Sequence, residues 1–346
     1  MSRHEEVMLE GVFPGQSELA TRMRALDWTR TDLGPPQHWP QNLRIAVSLC
    51  LTSRIPVVMY WGPAHTVLYN DAYVSFLGPG KHPRFLGRPG RECWAEIWDT
   101  IGPMLEGVRY SGTATWSKDL QMFFSRALKL EEVFVRFTFG PILGPDGRSV
   151  DGIFCPCTET TEQVVGARRL ETLRRLAMRP PETRTAEAAC VAMADVLADN
   201  AHDVPFAAIY GVDDAQTKAT LVASARVPRD GALFPETVAL TEDATSPWPF
   251  AAAARTMQPQ DLRDAAGLPE PLPGGPYPEP ARQALVLPVP APGGARLAGL
   301  LVCGVSPRRL LDDAYRNFFD MAAVHVAAAI AEARAYDAER RRAESL

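Results

Sequence analysis

No apolar run in this chain reaches a dozen residues, so no segment has the length to cross a bilayer as a helix. The opening residues, Met1 to Glu6, lack the charged-then-apolar form of a secretion signal. A cytoplasmic protein with no membrane partner is the expectation. Cysteine is scarce: the six fall at 50, 93, 155, 157, 190 and 303, each inside an apolar stretch. In a reducing compartment such residues behave as small buried hydrophobes. Positive charge is not concentrated either. The 36 Lys and Arg interleave with 41 Asp and Glu, and no basic stripe of the kind that holds nucleic acid forms. No Ser-His-Asp set, carboxylate pair or phosphate-cradling glycine loop stands out, so an independent enzyme has little support. No motif requires a cofactor.

What is present is apolar sequence for two cores. At 346 residues and 46% hydrophobic content, the chain has the length of two domains of about 150 residues each. The 31 prolines gather in loops such as 268–280, which reads as stiff connection. An amphipathic helix is expected over 18–26 and a turn-rich stretch over 33–40. Pro40 then suits the first turn of a helix whose Leu43, Ala46, Val47 and Cys50 share a face. Two strands follow, 55–61 and 66–69, around the Gly62-Pro63 turn, and Asn70 can cap a short helix. Helical periodicity runs between Glu92 and Val108. Val133, Val135, Phe137 and Phe139 then alternate as in a half-buried strand. Gly144 to Gly147 is a turn, and the last strand is Val150 to Cys157. A helix over 160–178, stopped by Pro180-Pro181, joins the halves.

The second half opens at Thr183 on a helical stripe of Ala186, Ala189, Cys190, Met193, Val196 and Leu197. Strands are expected at 206–212 and 219–226. A Pro- and Gly-rich excursion covers about 240–280, and a hairpin runs from 284–289 to 297–305. From Asp312 or Asp313 a helix runs to the end of the chain. Tyr315, Phe319, Ala322, Val326, Ala329 and Ala333 fall at heptad spacing on it. The same spacing serves a helix packed on its own sheet, but the Arg- and Glu-rich continuation past Ala333 reads as a coiled-coil exit. These six are therefore the candidate seam of a homodimer, its small residues suiting a switch.

The first half resembles the PAS domains of bacterial hybrid sensor histidine kinases. The resemblance is carried by Trp28 with 33–40 (LGPPQHWP), 42–44 (NLR), 60–63 (YWGP), 69–73 (YNDAY), 87–89 (GRP), 94–98 (WAEIW), 101–103 (IGP) and 154–162 (FCPCTETTE). The second half resembles a GAF domain of the same proteins through 205–210 (PFAAIY), 285–289 (LVLPV) and 311–319 (LDDAYRNFF). The resemblance implies an α+β fold of two domains, each a central antiparallel sheet flanked by helices. The domains are an N-terminal helical cap (1–40), PAS (41–162), a linker helix (163–182), GAF (183–333) and an exit helix (334–346). It implies a sensory module of a two-component signalling protein. Its helices would lead, beyond Leu346, to a C-terminal kinase domain that serves a response regulator.

Three groups of side chains could carry chemistry. The aromatic set Tyr60, Trp61, Tyr69, Tyr73, Trp94 and Trp98, with Asn70, Arg88 and Arg91 as polar partners, could line a small-molecule pocket or simply fill a core. Cys155 and Cys157, one residue apart on a strand, point to one face and could form a redox or metal-responsive pair, although zinc needs four ligands. Cys93 lacks the Asn, Arg and Phe neighbours of a flavin-reactive cysteine. Cys190 and Cys303 lack the surroundings of a bilin attachment site. Among the histidines, His82 is the best placed for haem and His325 lies beside the heptad seam. The rival readings are a thiol-based redox or metal sensor and a ligand-free dimerisation scaffold.

Overall fold

Antiparallel pairing dominates. Every strand pair in both sheets of the computed structural model is antiparallel. The structure describes residues 9–178, 185–227, 233–241, 246–262, 265 and 268–344. The Pro180-Pro181 stop and the Thr183 start expected above lie outside them. The chain divides into two units, Met1–Val164 and Val165–Leu346.

In the first unit, α1 (Glu18–Ala25) is capped by Ser17, whose hydroxyl accepts from the Ala20 amide at 3.2 Å. Its buried face (Leu19, Ala20, Met23) joins Phe13, Trp28 and Trp39 in the unit's core. The N-terminal cap is thus part of that core. Then come α2 (Gln41–Thr52), β1 (Val57–Trp61), β2 (Thr66–Tyr69), α3 (Val74–Leu77), α4 (Gly90–Cys93), α5 (Trp98–Ser111), β3 (Thr115–Phe124), β4 (Glu131–Leu143) and β5 (Val150–Glu159). The sheet order is β2-β1-β5-β4-β3. Two strands, short helices and then a meander of strands is the order expected from the sequence; the structure adds that β5 returns to pair with β1. The α2 helix packs on β1, β2 and β4, and α5 packs on β4 and β5.

Two features of this unit were not anticipated. The expected strands omit β3, where the alternation breaks: the register with β4 shifts between Ser117 and Leu120, and Asp119 takes a left-handed φ of 53°. Glu132, on β4, is fully buried and accepts from Gln121 Nε2 at 2.8 Å.

The second unit holds α6 (Thr161–Ala177, entering it at Val165), α7 (Ala186–Asp199), β6 (Ala207–Val212), β7 (Lys218–Ala225), β8 (Thr237–Ala239), α8 (Phe250–Thr256), β9 (Gln260–Leu262), β10 (Ala284–Pro290), β11 (Leu297–Gly304) and α9 (Asp313–Glu344). Its sheet runs β8-β7-β6-β11-β10-β9. Both faces are covered. Ala207, Ile209, Leu285, Leu287, Leu301 and Cys303 face one core with Leu176 and residues of α7 and α9. Ala208, Tyr210, Val286, Leu300 and Val302 face a second core with Phe234, Trp248 and Phe250. A strand buried on both sides needs no polar alternation, which is why β10 and β11 read as near-continuous apolar runs. The segment read as a linker helix belongs to this unit: Leu173 and Leu176 pack in its core.

The heptad seam requires correction. Tyr315, Phe319, Ala322 and Val326 are fully buried in the unit's own core, and Ala329 and Ala333 are almost so. The regular spacing arises because α9 lies along α7, β10 and β11, and a packed helix repeats its contacts as a coiled coil does. These six residues are domain core, not an exposed seam. Beyond Ala333 α9 continues as helix to Glu344 with mostly exposed side chains. Among the described residues no helix is long and apolar enough to cross a membrane.

Candidate functional site

A strand sends successive side chains to opposite faces, and that parity builds the candidate site of the first unit. From β1 it takes Val58 and Tyr60, from β4 Val135, Phe137 and Phe139, and from β5 Cys155 and Cys157. Register agrees, since Val58 pairs with Cys155 and Phe137 with Cys157. Over this face lie Tyr73, Phe76, Trp94, Ile97 and Ile101 from the helical segment, with Met122 and Phe124 from β3. They enclose a cavity of about 30 Å³. That admits about two water-sized groups, against roughly 300 Å³ or more for an ordinary small-molecule site.

The lining is apolar with a few polar atoms. Burial pushes the Tyr60 and Tyr73 hydroxyls well above the usual phenol range. Burial, with the neighbouring Cys157 thiol, holds the Cys155 thiol well above its ordinary value. Trp94 is 1% exposed, and its indole Nε1 has no hydrogen-bond partner. Its ring packs on Phe124 at 5.1 Å and edge-on to Tyr73 at 6.2 Å, with Lys81 Nζ 4.0 Å over it. A buried unpaired donor costs about 1–3 kcal/mol relative to a paired one. Trp94 is also one of the residues that line the cavity.

Of the six ligand-pocket candidates, Tyr73 and Trp94 line this cavity and four do not. Trp61 lies on the opposite face from Tyr60, as parity demands, with its ring over Gly152; a β-carbon there would come within 2.5 Å of it. Tyr69 sits at the end of β2 with its hydroxyl 3.0 Å from His82 Nδ1. Asn70 is structural: its Oδ1 accepts from the Val57 and Tyr73 amides at 3.0 and 3.1 Å. Its Nδ2 donates to the Ser53 and Ile55 carbonyls at 3.1 and 2.8 Å. That uses its full capacity. Arg88 is exposed; its backbone carbonyl accepts from the Val67 amide at 2.8 Å.

The remaining candidates are accounted for by packing. His82 lies between Tyr69 and Glu18 Oε1, the latter 3.2 Å from Nε2, and does not line the cavity. Cys93 is buried, which pushes its thiol up to about 12. His325 is half-buried on α9. Cys155 and Cys157 do share a face and are buried free thiols. Among the described residues no group of three or more His, Cys, Asp and Glu could hold a metal ion. Sequence reading missed Phe76, Met122 and Phe124 as cavity residues; the last two lie on β3, which was not seen as a strand.

No family model matches the chain, and no curated protein sequence matches it. Solved structures do. One is the GAF domain of an Acinetobacter phosphoenolpyruvate-protein phosphotransferase, at 19% identity and a TM-score of 0.36, over 48% of this chain and 95% of that one. Another is the GAF domain of the corresponding protein from Coxiella burnetii, at 20% identity and 0.36, over 50% and 98%. A third is a putative GAF sensor protein from Burkholderia vietnamiensis, at 17% identity and 0.34, over 50% and 91%.

Proposed function

We propose that this chain is a sensory module, a PAS-type unit followed by a GAF-type unit, in which the PAS-type cavity takes a very small and largely apolar ligand. The observation that carries the ligand reading is Trp94: a buried indole N–H without a partner, on a residue that lines a mostly apolar cavity. A ligand with one acceptor atom would satisfy that donor and bury its apolar remainder against Phe76, Ile97 and Phe137. Burial holds the Tyr60, Tyr73 and Cys155 groups protonated, which suits binding over chemistry. The reading is therefore a sensor and not an enzyme. The two-component context, with α9 leading towards a kinase domain and a response regulator, rests on the sequence resemblance. The exposed run of α9 past Ala333 supports an exit helix without specifying a dimer.

The test is an NMR titration of the full chain, 15N-labelled at tryptophan, with acetone, ethanol and xenon. The Trp94 indole resonance is assigned through Trp94→Phe. A saturable shift of that resonance with acetone or ethanol, with the other indole resonances unmoved, supports the proposal. Xenon has no acceptor, so it should enter without the large indole shift. A Trp94 resonance that moves with none of the three would sink the reading.

A further inference from the structure

On the outside of the first unit, the β1–β2 turn and the start of α5 enclose an open cleft of about 630 Å³, within the usual size of small-molecule sites. It is distinct from the core cavity; the two share no lining residue. We infer that this cleft is a binding site for a small zwitterion of the α-amino acid type, its carboxylate on Arg91 and its ammonium on Asp99 beside the Trp98 ring.

His65 anchors the wall of the cleft. It is 3% exposed and takes a left-handed φ of 51° in the turn, a conformation that Gly or Asn adopts at less cost. Its Nε2 lies 2.9 Å from Glu106 Oε1 on α5, and its carbonyl accepts from the Gly90 amide at 2.9 Å. The turn is thereby pinned to both other walls. The 87–90 segment is held along β2 by two further main-chain bonds, Val67 N to Arg88 O at 2.8 Å and Gly87 N to Val67 O at 2.9 Å. Arg91 therefore hangs from a fixed backbone. The Trp98 ring stands 5.9 Å from His65. Two glycines make room for it: a β-carbon on Gly90 would come within 3.1 Å of the ring, and one on Gly102 within 2.9 Å of its Nε1. The cleft is a preorganised wall, not a loop gap.

The charges complete it. Arg91 and Asp99 line the same cleft, are exposed, and make no ion pair with each other or with any other described residue. Glu106 is already engaged by His65 and lies 3.9 Å from Arg109. Asp99 in the first turn of α5 gains from the helix dipole without any ligand, but that leaves Arg91 unexplained. Two opposite charges that share a cleft without meeting fit a molecule carrying both signs. Trp98 can take the cationic end on its face, and Pro89 offers an apolar wall for a side chain.

The probe is L-leucine, with N-acetyl-leucine and leucinamide as its two single-charge halves, added to the tryptophan-labelled full chain. The Trp98 indole resonance is assigned through Trp98→Phe. The expected result is a saturable shift with L-leucine. Each half binds about tenfold more weakly or less, one lost charge contact being about 1.4 kcal/mol. Arg91→Ala should weaken L-leucine and N-acetyl-leucine, and Asp99→Asn should weaken L-leucine and leucinamide. Both residues are exposed, so neither change threatens the fold. Trp94→Phe should leave leucine binding intact, which keeps this cleft separate from the core cavity. Shifts that stay linear with L-leucine to about 50 mM, far above a millimolar Kd, overturn the proposal. So does an isotherm that neither Arg91→Ala nor Asp99→Asn moves.

Discussion

Arg168 donates to Asp203 through Nε at 2.7 Å, and the carboxylate it meets is completely buried. Arg169, next on α6, reaches the other oxygen at 3.2 Å. The backbone carbonyl of the same Asp203 accepts from the Tyr315 hydroxyl at the start of α9, and Arg169 lies 3.8 Å over the Tyr315 ring. One residue thus ties α6 and α9 together inside the second unit. A movement of either helix must break or carry this contact.

Removing the carboxylate should therefore be costly. Asp203→Ala leaves two guanidinium groups facing a buried site, and breaking a buried pair costs about 3–5 kcal/mol. Urea unfolding followed by circular dichroism should show an unfolding free energy lower by that amount and a correspondingly lower midpoint, with Arg168→Ala milder because Arg168 is partly exposed. Equal midpoints for Asp203→Ala and wild type would show that the cluster does not hold the helices.

Arg126 is the corresponding clamp of the first unit. Its guanidinium is shared between Glu159, at 2.8 and 2.9 Å, and Glu131, at 3.0 and 3.1 Å. It joins the β3–β4 hairpin to the end of β5. Arg126→Lys keeps the charge but cannot make two forked contacts. Both Arg126→Lys and Arg126→Ala should lower thermal stability, Ala by about 3–5 kcal/mol and Lys by less. A lysine variant as stable as wild type would reduce Arg126 to a point charge.

The cysteines give a pH dependence of definite sign. Burial pushes the Cys93 thiol up to about 12 and the Cys190 thiol up to about 11, above the unfolded value of about 8.5. A thiol is neutral when protonated. Between those values the unfolded chain has lost protons that the folded chain keeps, so stability falls as pH rises. The contribution is fully present below about pH 8.5 and is lost on the way to about 11 for Cys190 and about 12 for Cys93. Urea midpoints should hold from pH 7 to 8 and decline above about pH 8.5, less steeply in the Cys93→Ala, Cys190→Ala double variant. Since all six thiols are buried and free, a disulfide reagent at neutral pH should react slowly with native protein and with all six in denaturant. A fast-reacting native thiol would contradict this picture.

What the sequence made legible follows from which physical signal dominates. The strands 57–61 and 66–69 and the hairpin 284–304 announce themselves because long β-branched and apolar runs lie between turn residues. β3 does not, because Asp119 interrupts its alternation. In the cavity, parity alone separates Tyr60 from Trp61, yet their adjacency in one aromatic motif led both to be grouped. Asn70 illustrates the opposite limit: its cap role was readable, but only the fold reveals that it also accepts from Val57 and donates to two carbonyls. The Asp203 and Arg126 clusters join residues 35 and 33 positions apart, and no local pattern encodes such pairs.

The sharpest distinction concerns α9, because heptad spacing has two physical sources that respond oppositely to one mutation. At a dimer seam, exchanging a small residue for leucine adds apolar area between copies and strengthens association. In a filled core, the same exchange inserts three carbons where there is no room and costs about 1–3 kcal/mol. Ala322 is fully buried between Tyr315, Phe319 and Val326 on its own helix face and the core it packs against. Ala322→Leu should therefore lower the unfolding temperature and leave the sedimentation coefficient unchanged across a wide range of concentration. Leucine at Tyr336, which is 44% exposed on the continuing helix, serves as the control with little effect on stability. Should Ala322→Leu raise both stability and the apparent mass, the buried row of α9 would have to open and meet a second copy, and the assignment of these residues to the domain core would fail.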